Sequence, residues 1–158
     1  MSNFSPKHAL CILHVEDNPT DRELVQELFR ADGLACEFQT MDSRAAFEAA
    51  LEQGKCDVIL SDYSMPGFDG MTALALAQQR RPEVPFIFIS GVMGEERAIE
   101  SLKNGATDYV LKQRIERLIP SVRRALREVV EREQLRETET RLRQSEEQLR
   151  QITENVGD

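Results

Sequence analysis

Asp62 closes the apolar run Asp57-Val58-Ile59-Leu60-Ser61 and is followed at once by Tyr63-Ser64-Met65-Pro66-Gly67. A run of that kind reads as a buried strand, and Pro66 and Gly67 break it into a loop. The carboxylate therefore falls at the rim of a sheet, where open α/β folds bind small ligands. Three other runs end in the same way: Leu10 to Val15 in Glu16-Asp17, Phe86 to Ile89 in Ser90-Gly91, and Asp108 to Leu111 in Lys112. Three acids, a hydroxyl and an ammonium thus stand where strands stop. Carboxylates gathered there repel one another unless a hard cation sits among them, and magnesium takes oxygen ligands. An aspartate nucleophile yields a reactive acyl phosphate, and a phosphoryl group is moved chiefly by positioning and charge neutralisation. Ser90 and Lys112 are suited to pair with phosphoryl oxygens. Any one of these positions alone is better read as a solvated strand-end charge. All of them together, each at a strand end, read as a magnesium-assisted phosphoryl site.

The elements that must position this set alternate along the first 120 residues. Asn18-Pro19 is an N-cap with proline at the first helical position and opens a helix to about Asp32, ended by Gly33. Cys36 to Thr40 is a short strand. Asp42 or Ser43 caps a helix with an apolar face of Ala46, Phe47, Ala50 and Leu51, stopped by Gly54. The Asp57–Ser61 strand is followed by a helix over about Gly70 to Arg80, and the Phe86–Ile89 strand by one over Glu95 to Lys103. Five strands alternating with helices imply a parallel sheet covered on both faces, with right-handed crossovers.

From about Arg117 to Val156 there is no glycine, and Pro120 falls in the first turn of a long helix. Ile119, Val122, Leu126 and Val129 form a stripe suited to packing on the sheet. Leu135, Leu142, Leu149 and Val156 then recur every seven residues, with Thr138, Ser145 and Ile152 at the companion position. The two frames slip between Val129 and Leu135, where a coiled-coil seam begins. We therefore divide the chain into a globular domain, 1–130, and a coiled-coil helix, 131–158. The seam implies a parallel homodimer through residues 135–156, in which Arg141 of one strand faces Glu146 of the other. The alternative is a single solvated helix held by Glu-to-Arg pairs four apart, at 128–132, 137–141, 139–143 and 146–150.

Composition narrows the class. The chain has 158 residues, net charge −8 and pI near 4.9, which argues against a nucleic-acid partner. The acidity belongs to residues 1–120, with 12 basic and 19 acidic side chains, while residues 121–158 carry 8 and 9. No apolar run approaches the ~20 residues that cross a bilayer, and no signal peptide opens the chain, so we expect a cytoplasmic protein without a membrane partner. Cys11, Cys36 and Cys56 form no close pair and read as small apolar side chains in a reducing compartment. His8 and His14 have no partner at ligand spacing and read as solvated and packed side chains.

Residues 8–126 resemble the receiver domain of bacterial two-component response regulators. The resemblance rests on Val15-Glu16-Asp17-Asn18-Pro19, on the segment from Asp57 through Asp62, Pro66 and Gly67 to Gly70, on Ile89-Ser90-Gly91, and on Gly105-Ala106-Thr107-Asp108-Tyr109-Val110-Leu111-Lys112. It implies a flavodoxin-like, doubly wound five-stranded parallel sheet of order 2-1-3-4-5, here with an extended C-terminal helix. It also implies that Asp62 accepts a phosphoryl group from a sensor histidine kinase or a phosphotransfer protein. Asp17, Asp62 and the backbone carbonyl of Ser64 would bind Mg2+, with Glu16 acting through a metal-bound water. Ser90 would be the switch hydroxyl, Tyr109 the switch aromatic and Lys112 the phosphate-pairing cation. Such a domain is a signalling phosphoacceptor and not an enzyme with an outside substrate.

Three positions depart from the pattern of that family. Ser90 replaces a commoner threonine and keeps the hydroxyl, Gly91 replaces alanine and leaves more space beside the phosphate, and Gln113 replaces a proline often preceded by a cis bond. A cis bond before a non-proline residue costs roughly 3 kcal/mol, so a trans Lys112–Gln113 bond is expected. The segment from Ser145 to Asp158 resembles the helix that leads into PAS sensory domains, which implies a C-terminal domain beyond it. Two rivals remain. A haloacid-dehalogenase-type phosphate hydrolase would place an Asp-x-Asp motif after its first strand, where this chain has Glu16-Asp17-Asn18. An unphosphorylated dimerisation scaffold would need neither the acid set nor Ser90 and Lys112.

Overall fold

The computed structural model describes residues 8–91 and 94–156. Its five strands are β1 (Leu10–Val15), β2 (Cys36–Met41), β3 (Val58–Asp62), β4 (Phe86–Ser90) and β5 (Asp108–Leu111). The helices are α1 (Pro19–Ala31), α2 (Arg44–Glu52), α3 (Gly70–Arg80), α4 (Glu95–Lys103) and α5 (Leu118–Val156). All strand pairings are parallel and the order is β2-β1-β3-β4-β5, the flavodoxin-like arrangement expected. The described residues fall into two compact units, divided between Leu126 and Arg127.

The strand alternation builds two cores. Leu13 and Val15 of β1 and Phe86 and Phe88 of β4 join Phe47 and Leu51 of α2 and Leu74 and Ala77 of α3 on one face. Leu10 and Ile12, with Ile87 and Ile89, join Val25 and Phe29 of α1 and Leu118, Val122 and Leu126 of α5 on the other. Strands buried on both faces read as apolar runs without alternation, as β3 and β4 do up to the buried polar residues at their carboxyl ends, Ser61-Asp62 and Ser90. Two helix starts follow the caps expected, at Asn18 and Ser43, and Asp69 caps a third that the sequence reading left uncapped. Asn18 accepts from the backbone N–H of Thr20 and Asp21, Ser43 from that of Ala46, and Asp69 from that of Thr72.

Strand ends differ from the sequence reading by about a residue, β2 reaching Met41 and β4 Ser90, and two differences bear on the site. The third strand runs one residue further, so Asp62 is itself the last ladder residue, paired in register with Ile89. After β5 the chain makes a 3-10 turn, Lys112–Arg117, interrupted by non-helical backbone at Arg114, before α5 begins. The peptide bonds described are all trans, including Lys112–Gln113.

Residues 127–156 continue α5 as an unbroken helix. Leu135, Leu142, Leu149 and Ile152 are exposed in the single chain. Thr138 donates its hydroxyl to the carbonyl of Gln134, so one polar member of the heptad seam is satisfied within its own helix. Of the spaced charge pairs, Glu137 and Arg141 close to 3.9 Å. Gly157 and Asp158, the end of the segment resembling a PAS lead-in, lie outside the described residues.

Two strains in this framework are measurable. His14 is buried in β1 and its Nδ1 has no hydrogen-bond partner. Burial, reinforced by the nearby charges of Arg22 and Lys112, holds its pKa down at about 4 from 6.5. The unfolded chain thus binds a proton between those values that the folded chain refuses, and stability falls as pH drops from about 6.5 towards 4. Replacing His14 by Leu should remove that loss, so the variant should gain up to roughly 3 kcal/mol relative to the parent across this window. Urea titrations at both ends of the window read the difference, and a constant offset would contradict it.

The second strain is at Gly70. A Cβ there would lie 2.6 Å from Phe88 Cε1, 2.7 Å from the carbonyl oxygen of Asp62 and 2.9 Å from Tyr63 Cα. Two of these neighbours are backbone, and the Gly70 N–H also donates to the carbonyl of Tyr63 at 3.0 Å. The start of α3 is therefore pressed against the end of β3, and only glycine fits. Gly70→Ala should cost about 1–3 kcal/mol of stability in denaturant unfolding. A cost below ~0.5 kcal/mol would show that the join yields freely.

Candidate phosphoryl and metal site

The carboxyl ends of the strands bring the expected residues together. Carboxylate oxygens of Glu16, Asp17 and Asp62 lie within 4.8 Å of one another. Glu16 is fully buried and Asp62 nearly so, while Asp17 is exposed. Each is fixed by its element. Glu16 continues the β1 ladder, its N–H donating to the Met41 carbonyl, and its Oε1 accepts from the Asn18 N–H at 3.2 Å. Asp62 Oδ1 accepts from the N–H of Ser64 at 3.3 Å, in the loop expected to supply a backbone ligand. Arg22 donates to the Glu16 carbonyl at 2.6 Å and so pins the first turn of α1 to the end of β1.

The cost of the gathering shows in Glu16. Burial first, and the charge of Asp62 second, push its pKa up to about 7, against the opposing pull of Lys112 and the Asn18 N–H. A buried acid raised in this way is relieved by any cation placed among the three oxygens. The donor set is all oxygen and anionic, open to solvent on the Asp17 side, and fits a hard divalent cation that keeps part of its hydration.

Lys112 reaches into the cluster from the end of β5. Its Nζ lies 3.4 Å from Asp62 Oδ2, 3.5 Å from Glu16 Oε2 and 2.7 Å from Asp21 Oδ2. Burial works to lower the lysine pKa, but the Asp21 hydrogen bond and the charges of Glu16 and Asp62 outweigh it, and the net direction is upward. The ammonium stays charged across the working range. Ser90 is buried at the end of β4. At Gly91 a Cβ would meet Lys112 Cδ at 3.6 Å, an ordinary contact, so alanine would fit there too. Tyr109 is partly buried and packs against Tyr63, with ring centroids 6.0 Å apart, and against Phe88 at 6.2 Å.

Two participants, Asp21 and Arg97, were not singled out in the sequence, and a third, Gln113, was singled out only as the loss of a proline. Asp21 lies in the first turn of α1 and reads there as an ordinary acidic residue favoured by the helix dipole. Its contact with Lys112 crosses 91 positions and leaves no local signal. Gln113 donates its side-chain amide to the carbonyl of Gly91 at 2.9 Å, tying the loop after β5 to the loop after β4 where the family commonly has proline. Arg97 of α4 lies over the ring of Tyr63 at 5.5 Å. Together with Ser64, Met65 and Asp69 these two residues line a cavity of about 600 Å³ beside the β3–α3 loop; none of the three acids lines it.

Comparison with known proteins agrees with this geometry. Residues 12–123 match the family model described as the response regulator receiver domain. The response regulator protein FleR of Pseudomonas aeruginosa is 32% identical over 124 residues, 78% of this chain and 24% of that protein. The DNA-binding transcriptional regulator NtrC of Salmonella typhimurium is 32% identical over 126 residues, 79% of this chain and 26% of its own length. The crystal structure of NtrX from Brucella abortus superposes with a TM-score of 0.74 at 27% identity, covering 83% of this chain and 30% of that one. The chain thus spans about a quarter of the length of these two curated relatives. With the strand order, the acid trio and the strand-end lysine all in place, the chain belongs to the response regulator receiver domain family.

Proposed function

We propose that Asp62 is the phosphoacceptor of a two-component signalling protein, charged by the phosphohistidine of a sensor histidine kinase or a phosphotransfer protein. The observation that carries this reading is the convergence of Glu16, Asp17 and Asp62 within 4.8 Å, with Lys112 Nζ 3.4 Å from Asp62. An Asp62 carboxylate oxygen forms the new bond to phosphorus, the phosphorus–nitrogen bond breaks, and the departing imidazole takes up a proton. Mg2+, held by Asp17, Asp62 and the Ser64 carbonyl with Glu16 beside them, would neutralise the charge of the transferring group. Lys112 and Ser90 then pair with the phosphoryl oxygens, and Gly91 leaves room beside them. Transfer is stoichiometric and self-directed, so the domain is a signalling component and not an enzyme with turnover.

Two features support a conformational output. Ser101 is the only fully buried residue of α4, whereas Ile99 and Leu102 are exposed, so few apolar contacts hold this helix. Tyr63, next to Asp62, contacts both Tyr109 of β5 and Arg97 of α4, and through it Tyr109 is suited to follow a move of Ser90. The C-terminal helix is the proposed transmitter, ending in a segment like the lead-in to a PAS domain. The exposed Leu135, Leu142, Leu149 and Ile152 support a parallel homodimer through residues 135–156. No described helix is long and apolar enough to cross a membrane, and we place the protein in the cytoplasm.

Incubation with a small phosphodonor and Mg2+ should add one phosphoryl mass to the parent chain. Asp62→Ala should abolish the addition and a chelator should suppress it. Modification that persists in either case sinks the assignment. Independently, sedimentation at about tens of micromolar should show a dimer, and the Leu142→Lys/Leu149→Lys variant a monomer. An unchanged distribution would leave the single-helix reading standing.

A further inference from the structure

Lys112 is held more closely by a residue outside the acid trio than by the trio itself. Its Nζ is 2.7 Å from Asp21 Oδ2, against 3.4 Å from Asp62 and 3.5 Å from Glu16. Asp21 has no capping duty, because the side chain of Asn18 accepts from the Thr20 and Asp21 backbone N–H groups and closes the helix start. Both side chains of the pair are about a quarter exposed, at 25% for Lys112 and 29% for Asp21. The pair is therefore neither a solvent-screened surface contact nor a sealed core bridge.

Resting on the phosphoacceptor reading, we propose that Asp21 is a positioning residue that holds the Lys112 ammonium away from the cation site until Asp62 carries a phosphoryl group. The ammonium and a divalent cation compete for the same oxygens, those of Glu16 and Asp62. With no other anion in reach, Lys112 would settle on those oxygens and raise the cost of metal binding. With the metal in place, the two positive charges repel, and Asp21 gives the ammonium a partner on the α1 side. A phosphoryl group on Asp62 brings oxygens more strongly charged than one carboxylate, and Lys112 must loosen from Asp21 to meet them. Asp21 therefore acts in opposite directions on two ligands. It favours the metal and opposes pairing of Lys112 with the anion, and both effects pass through Lys112.

The test uses the full chain and six proteins: the parent, Asp21→Asn, Asp21→Glu, Lys112→Gln, the Asp21→Asn/Lys112→Gln double variant and Asp62→Ala. Mg2+ binding is followed by calorimetry, and beryllofluoride, a phosphoryl mimic, is titrated at saturating Mg2+. Asp21→Asn should weaken Mg2+ binding and tighten beryllofluoride binding, each by roughly two- to fivefold, the range of a partly exposed ion pair. Asp21→Glu should restore the parent values of both. In the Lys112→Gln background, Asp21→Asn should produce less than half of either change. Equal changes with and without Lys112 would show that Asp21 acts only as a distant charge, and would overturn the proposal. So would an Asp21→Asn variant that binds both ligands as the parent does, or that shifts both affinities in the same direction. Failure of the parent itself to bind beryllofluoride overturns the phosphoacceptor reading and this inference with it. Parent binding that is lost in Asp62→Ala but indifferent to Asp21 overturns the inference alone.

Discussion

Repulsion among three carboxylates is the constraint on which the rest of the molecule depends. Two unit charges 4.8 Å apart at an effective dielectric constant of about 20 repel by roughly 3 kcal/mol. Glu16, Asp17 and Asp62 are three such charges, and Lys112 supplies one positive charge in return. A loosely packed chain would relieve this by separating the strand ends. Here they are held because β1 and β3 are packed on both faces, with Val15, Ile59 and Leu60 essentially inaccessible. The two-layered core is what makes the acid cluster possible, and the cluster in turn makes the site attractive to a cation.

The rigid and yielding parts are divided accordingly. Asp62, the proposed acceptor, is the last residue of a central strand, and Gly70 locks the start of α3 against the backbone of Asp62 and Tyr63. The groups that would meet a phosphoryl oxygen stand on β4 and β5, with loops joined by Gln113 through the Gly91 carbonyl. Beyond them lies α4, which has no fully buried apolar side chain and touches the β3–α3 loop through Arg97 over Tyr63. A charge added at Asp62 thus acts on a fixed centre surrounded by parts that differ in how firmly they are held. This is the arrangement a switch requires.

Much of this was legible in the sequence because it is local. Most strands and helices were marked by an apolar run, a cap or a glycine, and the strand-end positions of Glu16, Asp17, Asp62, Ser90 and Lys112 followed from those marks. What escaped was set by contacts between distant positions. Asp21 looks like any acid in a first helical turn until Lys112 arrives from the far edge of the sheet. Gly70 looks like a simple helix start, because the atoms that exclude a Cβ there belong to Phe88 and to the backbone of Asp62 and Tyr63. Gln113 looked like the loss of a proline, yet its side chain supplies a tether that proline cannot make. The 3-10 turn after β5 escaped for another reason: Lys112-Gln113-Arg114 carries no glycine or proline to announce it.

That turn bears on how a signal leaves the site. Lys112 is both the ammonium in the acid cluster and the first residue of a six-residue turn ending at Arg117, after which α5 begins. The start of α5 is held by Leu118 and Val122 in the core, and by Asp108, which accepts from Ser121 at 2.6 Å and from Arg124 at 2.9 Å. On the proposed function, a lysine that traded Asp21 for a phosphoryl oxygen would pull on one end of this short turn while Asp108 restrains the other. The strain falls on the residues between them, where Arg114 already departs from helical backbone. Because the acid cluster and the long helix are joined by so few residues, a small shift of one ammonium is mechanically close to the helix. The partner that Lys112 has before phosphorylation then matters as much as the partner it gains.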